Sequence, residues 1–230
     1  MREIVFDTET TGLDPAKGHR VVEIGAVEIS NLIPTGRVFH FYLDPERDMP
    51  EEAFRVHGLS TEFLTGQKKF RDIADPFLEF IEDANLIAHN AEFDIRFLNA
   101  ELALLGLPLL GFDRVVDTLA LARRRHPGAS NSLDALCQRY GVDTSRRDKH
   151  GALLDAGLLA EVYAELMGGR QAALLLQSKG VATVDASGDL QRHRPLPLGP
   201  LLTAVELEAH TKFVASLGKA PLWRRYQTEG

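Results

Sequence analysis

Phe6-Asp7-Thr8-Glu9-Thr10-Thr11-Gly12 closes the first apolar run of the chain and reads as a strand ending in a turn. A strand repeats every two residues, so Asp7 and Glu9 share one face while Thr8 points to the other. Two carboxylates side by side repel each other unless a cation sits between them. Taken alone, the pair reads more readily as two solvated acids in a strand-end turn.

Working outward, residues 20–30 alternate, with Val22, Ile24 and Ala26 on one side and Val21, Glu23 and Gly25 on the other. Pro34-Thr35-Gly36 predicts a turn into a second alternating run at 38–43. Together these runs predict the hairpin meander that opens an α/β domain. From Pro50 the spacing becomes helical, clearest at Ile73, Phe77, Phe80 and Ile81. Leu86-Ile87-Ala88 predicts a short strand, and Asn90 the N-cap of a helix running to about Leu105. Val115-Val116 predicts a further strand before a helix over 118–125. Asn131 or Ser132 caps a helix through Tyr140 that Gly141 ends, and a helix over 152–167 stops at Gly168-Gly169.

Two more acids change the meaning of the first pair. Asp94 falls in the first turn of the helix after Asn90, on the edge where the first strand also ends. An acid there also complements the helix dipole, a gain of roughly 0.3–1 kcal/mol. Asp155 is the odd residue of its helix, because Gly151, Ala152, Leu158 and Leu159 at helical spacing are small or apolar. Burying it ionised is costly, so it is protonated, paired or holding a metal. His150 precedes it by five residues, about 140° round a continuous helix at 3.6 residues per turn. That angle predicts His150 in the loop or at the helix start, reaching over a site that Asp155 lines. Four carboxylates without a cysteine or histidine cage suit a hard divalent ion, Mg²⁺ or Mn²⁺. Two such ions clamp the attacking and leaving oxygens of a phosphodiester, with neutral His150 taking the proton from water.

Composition sets the limits. The 230 residues are 44% hydrophobic and 26% charged, which rules out a fully disordered or fibrous chain. Lys and Arg number 26 against 33 Asp and Glu, a formal charge of −7. That balance argues against a nucleic-acid binder held by a basic surface, though not against an enzyme acting on nucleic acid at a local site. The single cysteine, Cys137, excludes an internal disulfide and a cysteine-based zinc cluster, and its apolar neighbours predict a core position. Charges in Met1-Arg2-Glu3 stand where a signal peptide needs an apolar run, and no segment has the length of a membrane span. The expected location is the cytoplasm, with no membrane partner.

Three stretches carry a resemblance. Phe6-Asp7-Thr8-Glu9-Thr10-Thr11-Gly12, His89-Asn90-Ala91-Glu92-Phe93-Asp94 and His150-Gly151-Ala152-Leu153-Leu154-Asp155 resemble, in order and at the same spacings, the three motifs of the DEDDh exonucleases. Between them, Val21-Val22-Glu23-Ile24-Gly25-Ala26-Val27-Glu28, Phe54-Arg55-Val56-His57-Gly58-Leu59 and Asn131-Ser132-Leu133-Asp134-Ala135-Leu136-Cys137 resemble the proofreading exonucleases of bacterial replicative polymerases. The resemblance implies a ribonuclease H-like α/β fold, a mixed five-stranded sheet flanked by helices. It also implies two-metal 3′→5′ exonuclease activity on a single-stranded or frayed DNA 3′ end. Asp7, Glu9, Asp94 and Asp155 would hold the two ions and His150 would be the base. Thr8, Thr10 and His57, with Phe93 nearby, would line the pocket for the 3′-terminal nucleotide; His57 is equally readable as a residue that starts a helix. Glycine at Gly12 would let backbone groups approach the terminal phosphate.

The expected organisation is an exonuclease domain over 1–168, a linker over 169–202 and a helical tail over 203–230. Gln171-Ala172-Ala173-Leu174-Leu175-Leu176 resembles a sliding-clamp-binding motif, departing from it where Leu176 replaces an aromatic residue. Pro195-Leu196-Pro197-Leu198-Gly199-Pro200 favours extended linker geometry. Thr203 and Glu206 have capping-box spacing for a helix to about Leu217. With Leu222-Trp223-Arg224-Arg225, that helix resembles an anchor for the polymerase catalytic (alpha) subunit. Arg123-Arg124-Arg125 ends a helix and complements its dipole, whereas Arg146-Arg147-Asp148-Lys149, just before His150, meets DNA or solvent. The motifs leave two alternatives, an RNA-trimming nuclease and a structural tether between polymerase and clamp.

Overall fold

The strand that carries Asp7 and Glu9 lies at the centre of the sheet. In the computed structural model, which describes residues 2–145, 149–168 and 203–217, β1 (Arg2–Thr10) pairs antiparallel with β2 (Val21–Ser30) and parallel with β4 (Asn85–Ala88). β3 (Ile33–Tyr42) flanks β2 and β5 (Val115–Asp117) flanks β4, giving the order β3-β2-β1-β4-β5. The sheet is mixed, five-stranded and covered on both faces. The alternation of β1 explains this: Ile4 and Phe6 face one core cluster, and Val5 faces another. The first cluster includes Phe77 of α3 (Phe70–Ile81) and Ile95, Phe97 and Leu98 of α4 (Ala91–Leu104). The second includes Leu159 and Tyr163 of α7 (Ala152–Leu166). Cys137, on α6 (Leu133–Tyr140), is buried with Leu136 against Leu158 and Val162 of α7.

Local signals account for most of the boundaries. Ser132 caps α6 by accepting from the Ala135 N–H, and Gly141 ends it in a left-handed conformation. Asp117 caps α5 (Thr118–Arg125) through the Leu119 N–H. Two expectations are corrected. The hairpin turn lies at Asn31 and Leu32, both at positive φ, and Pro34-Thr35-Gly36 sits inside β3. As an edge strand, β3 tolerates the proline, beside a register shift opposite Val27 and Ile29. Asn90 does stand at the N-cap position of α4, but in a left-handed conformation and with no side-chain cap bond. Its backbone N–H donates to Asp117 Oδ1 at 3.0 Å instead, tying the exit of β4 to β5.

The chain divides into two units, Met1–Leu174 and Leu175–Gly230. The first holds the sheet and its helices. In the second, α8 (Ala204–Ser216) starts with a complete capping box: Glu206 N–H donates to Thr203 Oγ1, and the Thr203 N–H donates back to Glu206. Among the described residues no helix is long and apolar enough to cross a membrane.

Candidate active site

The site is built where strands end and helices begin. The ladder sets Asp7 opposite Gly25, and the missing side chain of Gly25 is what admits α7. A Cβ at Gly25 would overlap backbone atoms of Ala152 and Leu153 in the first turn of α7. Glycine at this position therefore lets the helix N-terminus rest on the sheet beside β1, delivering Asp155 to the end of the strand. From the other side, Asp94 comes in on the first turn of α4, just beyond β4. Thr8, on the opposite pleat from its two acidic neighbours, donates to Asp94 Oδ1 from its backbone N–H at 3.1 Å and its hydroxyl at 2.7 Å.

Asp7, Glu9, Asp94, Asp155 and His150 all line one cleft of about 270 Å³, together with Phe93. Asp94 and Asp155 are buried at 4% and 3% exposure, Glu9 is buried, and Asp7 is half-buried. His150 stands in the loop before α7, not on it, and its Nδ1 lies 3.1 Å from Asp155 Oδ2. Ligand atoms of Glu9, His150 and Asp155 lie within 4.8 Å of one another. Burial pushes the Asp7 carboxyl well above the usual range, and the neighbouring Asp94, Glu9, Asp155 and Glu23 push it further. Burial likewise raises Asp94 to about 7, opposed by the two donors from Thr8. Buried, crowded oxygen donors whose proton affinity is raised are a set that a hard divalent cation fits.

A second cavity, of about 570 Å³, adjoins the first through Thr8, Glu9 and Phe93 and is also lined by Thr10 and His57. His57 ends α1 (Glu51–His57), is 6% exposed, and accepts the Leu59 N–H at Nδ1 (3.0 Å). Its ring proton is therefore on Nε2, which faces the Thr10 backbone without completing a hydrogen bond. Burial lowers this imidazole below its ordinary pKa. Thr10 turns its hydroxyl to Gly12 O at 2.6 Å. At Gly12 the His19 ring occupies the space a Cβ would need, and Gly12 itself lines the same cavity. Arg146, Arg147 and Asp148 lie outside the described residues, while Lys149 places its ammonium over the Phe54 ring at 5.3 Å.

Two residues escaped the sequence reading. Gly25 read only as one member of an alternating strand, because nothing local reveals a helix arriving from residue 152. His89 entered only as the first residue of the second motif, with no role of its own. Its Nε2 donates to Asn131 O at 2.9 Å and its Nδ1 lies 2.9 Å from Thr118 Oγ1, bracing the segment that leads into α6 over the cleft.

Fold and cleft together define an exonuclease, and the comparisons agree. The family model described as Exonuclease matches residues 4–163. DNA polymerase III subunit epsilon of Rickettsia felis is 52% identical over 224 residues, covering 95% of this chain and 98% of that one. The same subunit of Escherichia coli K12 is 43% identical over 238 residues, covering 97% of each chain. Among solved structures, the nuclease domain of 3′hExo, a DEDDh family member bound to rAMP, has a TM-score of 0.63 at 16% identity. It covers 72% of this chain and 91% of its own. The chain belongs to the exonuclease family and, within it, to the epsilon subunits of DNA polymerase III.

Proposed function

We propose that Asp7, Glu9, Asp94 and Asp155 hold two Mg²⁺ or Mn²⁺ ions, and that this centre removes mispaired 3′-terminal nucleotides from DNA with His150 as general base. The observation that carries this reading is the convergence of the four carboxylates and one imidazole on a single cleft. Asp155 orients the base: as a carboxylate it accepts the Nδ1 proton of His150, leaving the Nε2 lone pair to take a proton from the attacking water. Bound ions would lower the pKa of that water and stabilise the departing 3′ oxygen. Thr8 fixes the Asp94 carboxylate, and Phe93 and His57 line the pocket for the terminal nucleoside. An unpaired terminus costs less to unstack into this pocket than a paired one, which favours mismatches. A time course on a 5′-labelled mispaired primer, with Mg²⁺ and then with EDTA, tests the reading. Shortening in Mg²⁺ that stops in EDTA and outpaces that of short RNA supports it; faster RNA trimming would favour the alternative substrate.

The raised carboxyls give a pH dependence with a definite sign. Asp94 in the folded, metal-free protein keeps its proton to about 7, whereas in the unfolded chain it loses it near 4. Stability without metal is therefore highest at the acidic end of that window and falls as pH rises through it. Divalent ions displace the protons, so their apparent affinity should weaken below about pH 7. Thermal midpoints across pH 4–8, with EDTA and with Mn²⁺, should show opposite slopes; parallel slopes would count against shared metal and proton sites.

Gly25→Ala should leave a folded protein whose turnover drops by about 10²-fold, the usual cost of a misplacement near 1 Å. The measurement is activity beside far-ultraviolet circular dichroism. Wild-type turnover would show that α7 does not need this close approach.

The tail reading is part of the same proposal: an exonuclease domain over 1–168, a linker over 169–202 that meets the sliding clamp, and a segment over 203–230 that anchors to the polymerase catalytic subunit. What supports it is a capped helix, α8, that exposes Val205, Leu207, Phe213 and Leu217. Gln171 to Leu176, and Leu222-Trp223-Arg224-Arg225, lie outside the described residues. Full-length protein should co-purify with the polymerase subunit and residues 1–168 should not. Equal binding by both would place the contact on the exonuclease unit.

A further inference from the structure

The catalytic cleft has neighbours on two sides. The His57 cavity shares Thr8, Glu9 and Phe93 with it. A third cavity, again of about 570 Å³, shares His89 and Ser132 with it and shares nothing with the His57 cavity. The cleft therefore lies between the two. If the terminal nucleoside sits against His57 and its phosphate lies at the acids, the chain continuing in the 5′ direction leaves by the third cavity. This step rests on the function proposed above.

Arg123 lines that exit. It projects from the last turn of α5, is exposed, and makes no ion pair among the described residues. Its charge reaches His89, whose imidazole is depressed first by burial and further by Arg123. Its neighbours are otherwise engaged or lie off the exit: Arg125 donates to Leu166 O at 2.7 Å, and Arg124 is exposed but does not line the cavity. The cavity is also lined by Asn131, only 8% exposed, whose Nδ2 donates to His126 O and Ala129 O. Its carboxamide oxygen makes no hydrogen bond, although buried acceptors are nearly always satisfied.

We propose that this cavity is a subsite for the nucleotide upstream of the scissile bond, with Arg123 paired to the phosphate on that nucleotide's 5′ side. An arginine on a backbone phosphate positions the strand without reading its sequence.

The test compares two substrates on full-length protein in Mg²⁺. The p-nitrophenyl ester of thymidine 5′-monophosphate has a terminal nucleoside and a scissile phosphate but nothing upstream. A 5′-labelled single-stranded oligonucleotide has both. Arg123→Ala should raise KM for the oligonucleotide about ten-fold and flatten its log–log salt slope by about 0.7, the value for one phosphate contact on a single strand. Hydrolysis of the ester should be unchanged. Arg123→Lys should recover part of the loss, and Arg124→Ala should behave as wild type. Equal losses on both substrates, or an unchanged KM for the oligonucleotide, would overturn the subsite. Failure of the wild-type protein to cleave either substrate would instead sink the exonuclease reading on which the subsite depends.

Discussion

Asp7→Ala should lose at least about 10⁴-fold in turnover, close to 5.5 kcal/mol of barrier at 1.36 kcal/mol per decade. The loss is large because the side chain stands among Glu9, Asp94 and Asp155, whose charges raise its own proton affinity. A cation placed there replaces three repulsions with attractions, and the vacancy left by alanine undoes the geometry for the others. The same crowding makes the second half of the result specific. Without metal, Asp7 is a burden on the fold, since it is half-buried and surrounded by acids. In EDTA the variant should therefore melt at or above the wild-type temperature, and Mn²⁺ should stabilise it less. Full Mg²⁺-dependent cleavage by Asp7→Ala would remove Asp7 from the metal centre.

His150→Ala should lower kcat by about 10²–10⁴-fold, the range for a lost general base. Because its Nδ1 lies against Asp155 Oδ2, the imidazole is both oriented and held in one tautomer. Loss of the ring should flatten the acidic limb of the pH–rate profile while leaving Mn²⁺ binding largely intact. That second readout separates a base from a ligand, a distinction that matters because His150 also lies within 4.8 Å of donor atoms of Glu9 and Asp155. If Mn²⁺ affinity falls in parallel with kcat, His150 belongs to the metal shell. An unchanged pH profile would end its role as base.

The legible parts of this molecule were those written in local chemistry. The two-residue period of β1 put Asp7 and Glu9 on one face, and the isolation of Asp155 on an apolar helix marked it as engaged. Its partner in the structure, His150, was placed in the loop by helix angle alone. Ser132, Gly141 and the Thr203–Glu206 pair set helix ends that the structure keeps. What could not be read were relations created by tertiary approach. The bare Cα of Gly25 matters only because residue 152 packs on it, more than a hundred residues later. Asn90 looked like a side-chain cap, yet a bond from its backbone to Asp117 holds it left-handed. Pro34 looked like a turn because the rule that keeps proline out of strands is relaxed at a sheet edge. Thr8 had its pocket role from the resemblance and does line the His57 cavity, but the bond from its hydroxyl to Asp94 could not be read from the sequence.

Asp7 and Asp94 approach the cleft from different elements, and Glu9 and Asp155 close it, so a metal-bound crystal structure reports on all four at once. Crystals of the full-length protein soaked in Mn²⁺ and thymidine 5′-monophosphate should give two anomalous peaks about 3.5–4 Å apart, as two-metal centres do. Both peaks should lie in contact with these carboxylates, with the nucleoside against His57 and Phe93. A single peak held by Glu9, His150 and Asp155, or peaks remote from Asp7 and Asp94, would contradict a shared two-ion centre.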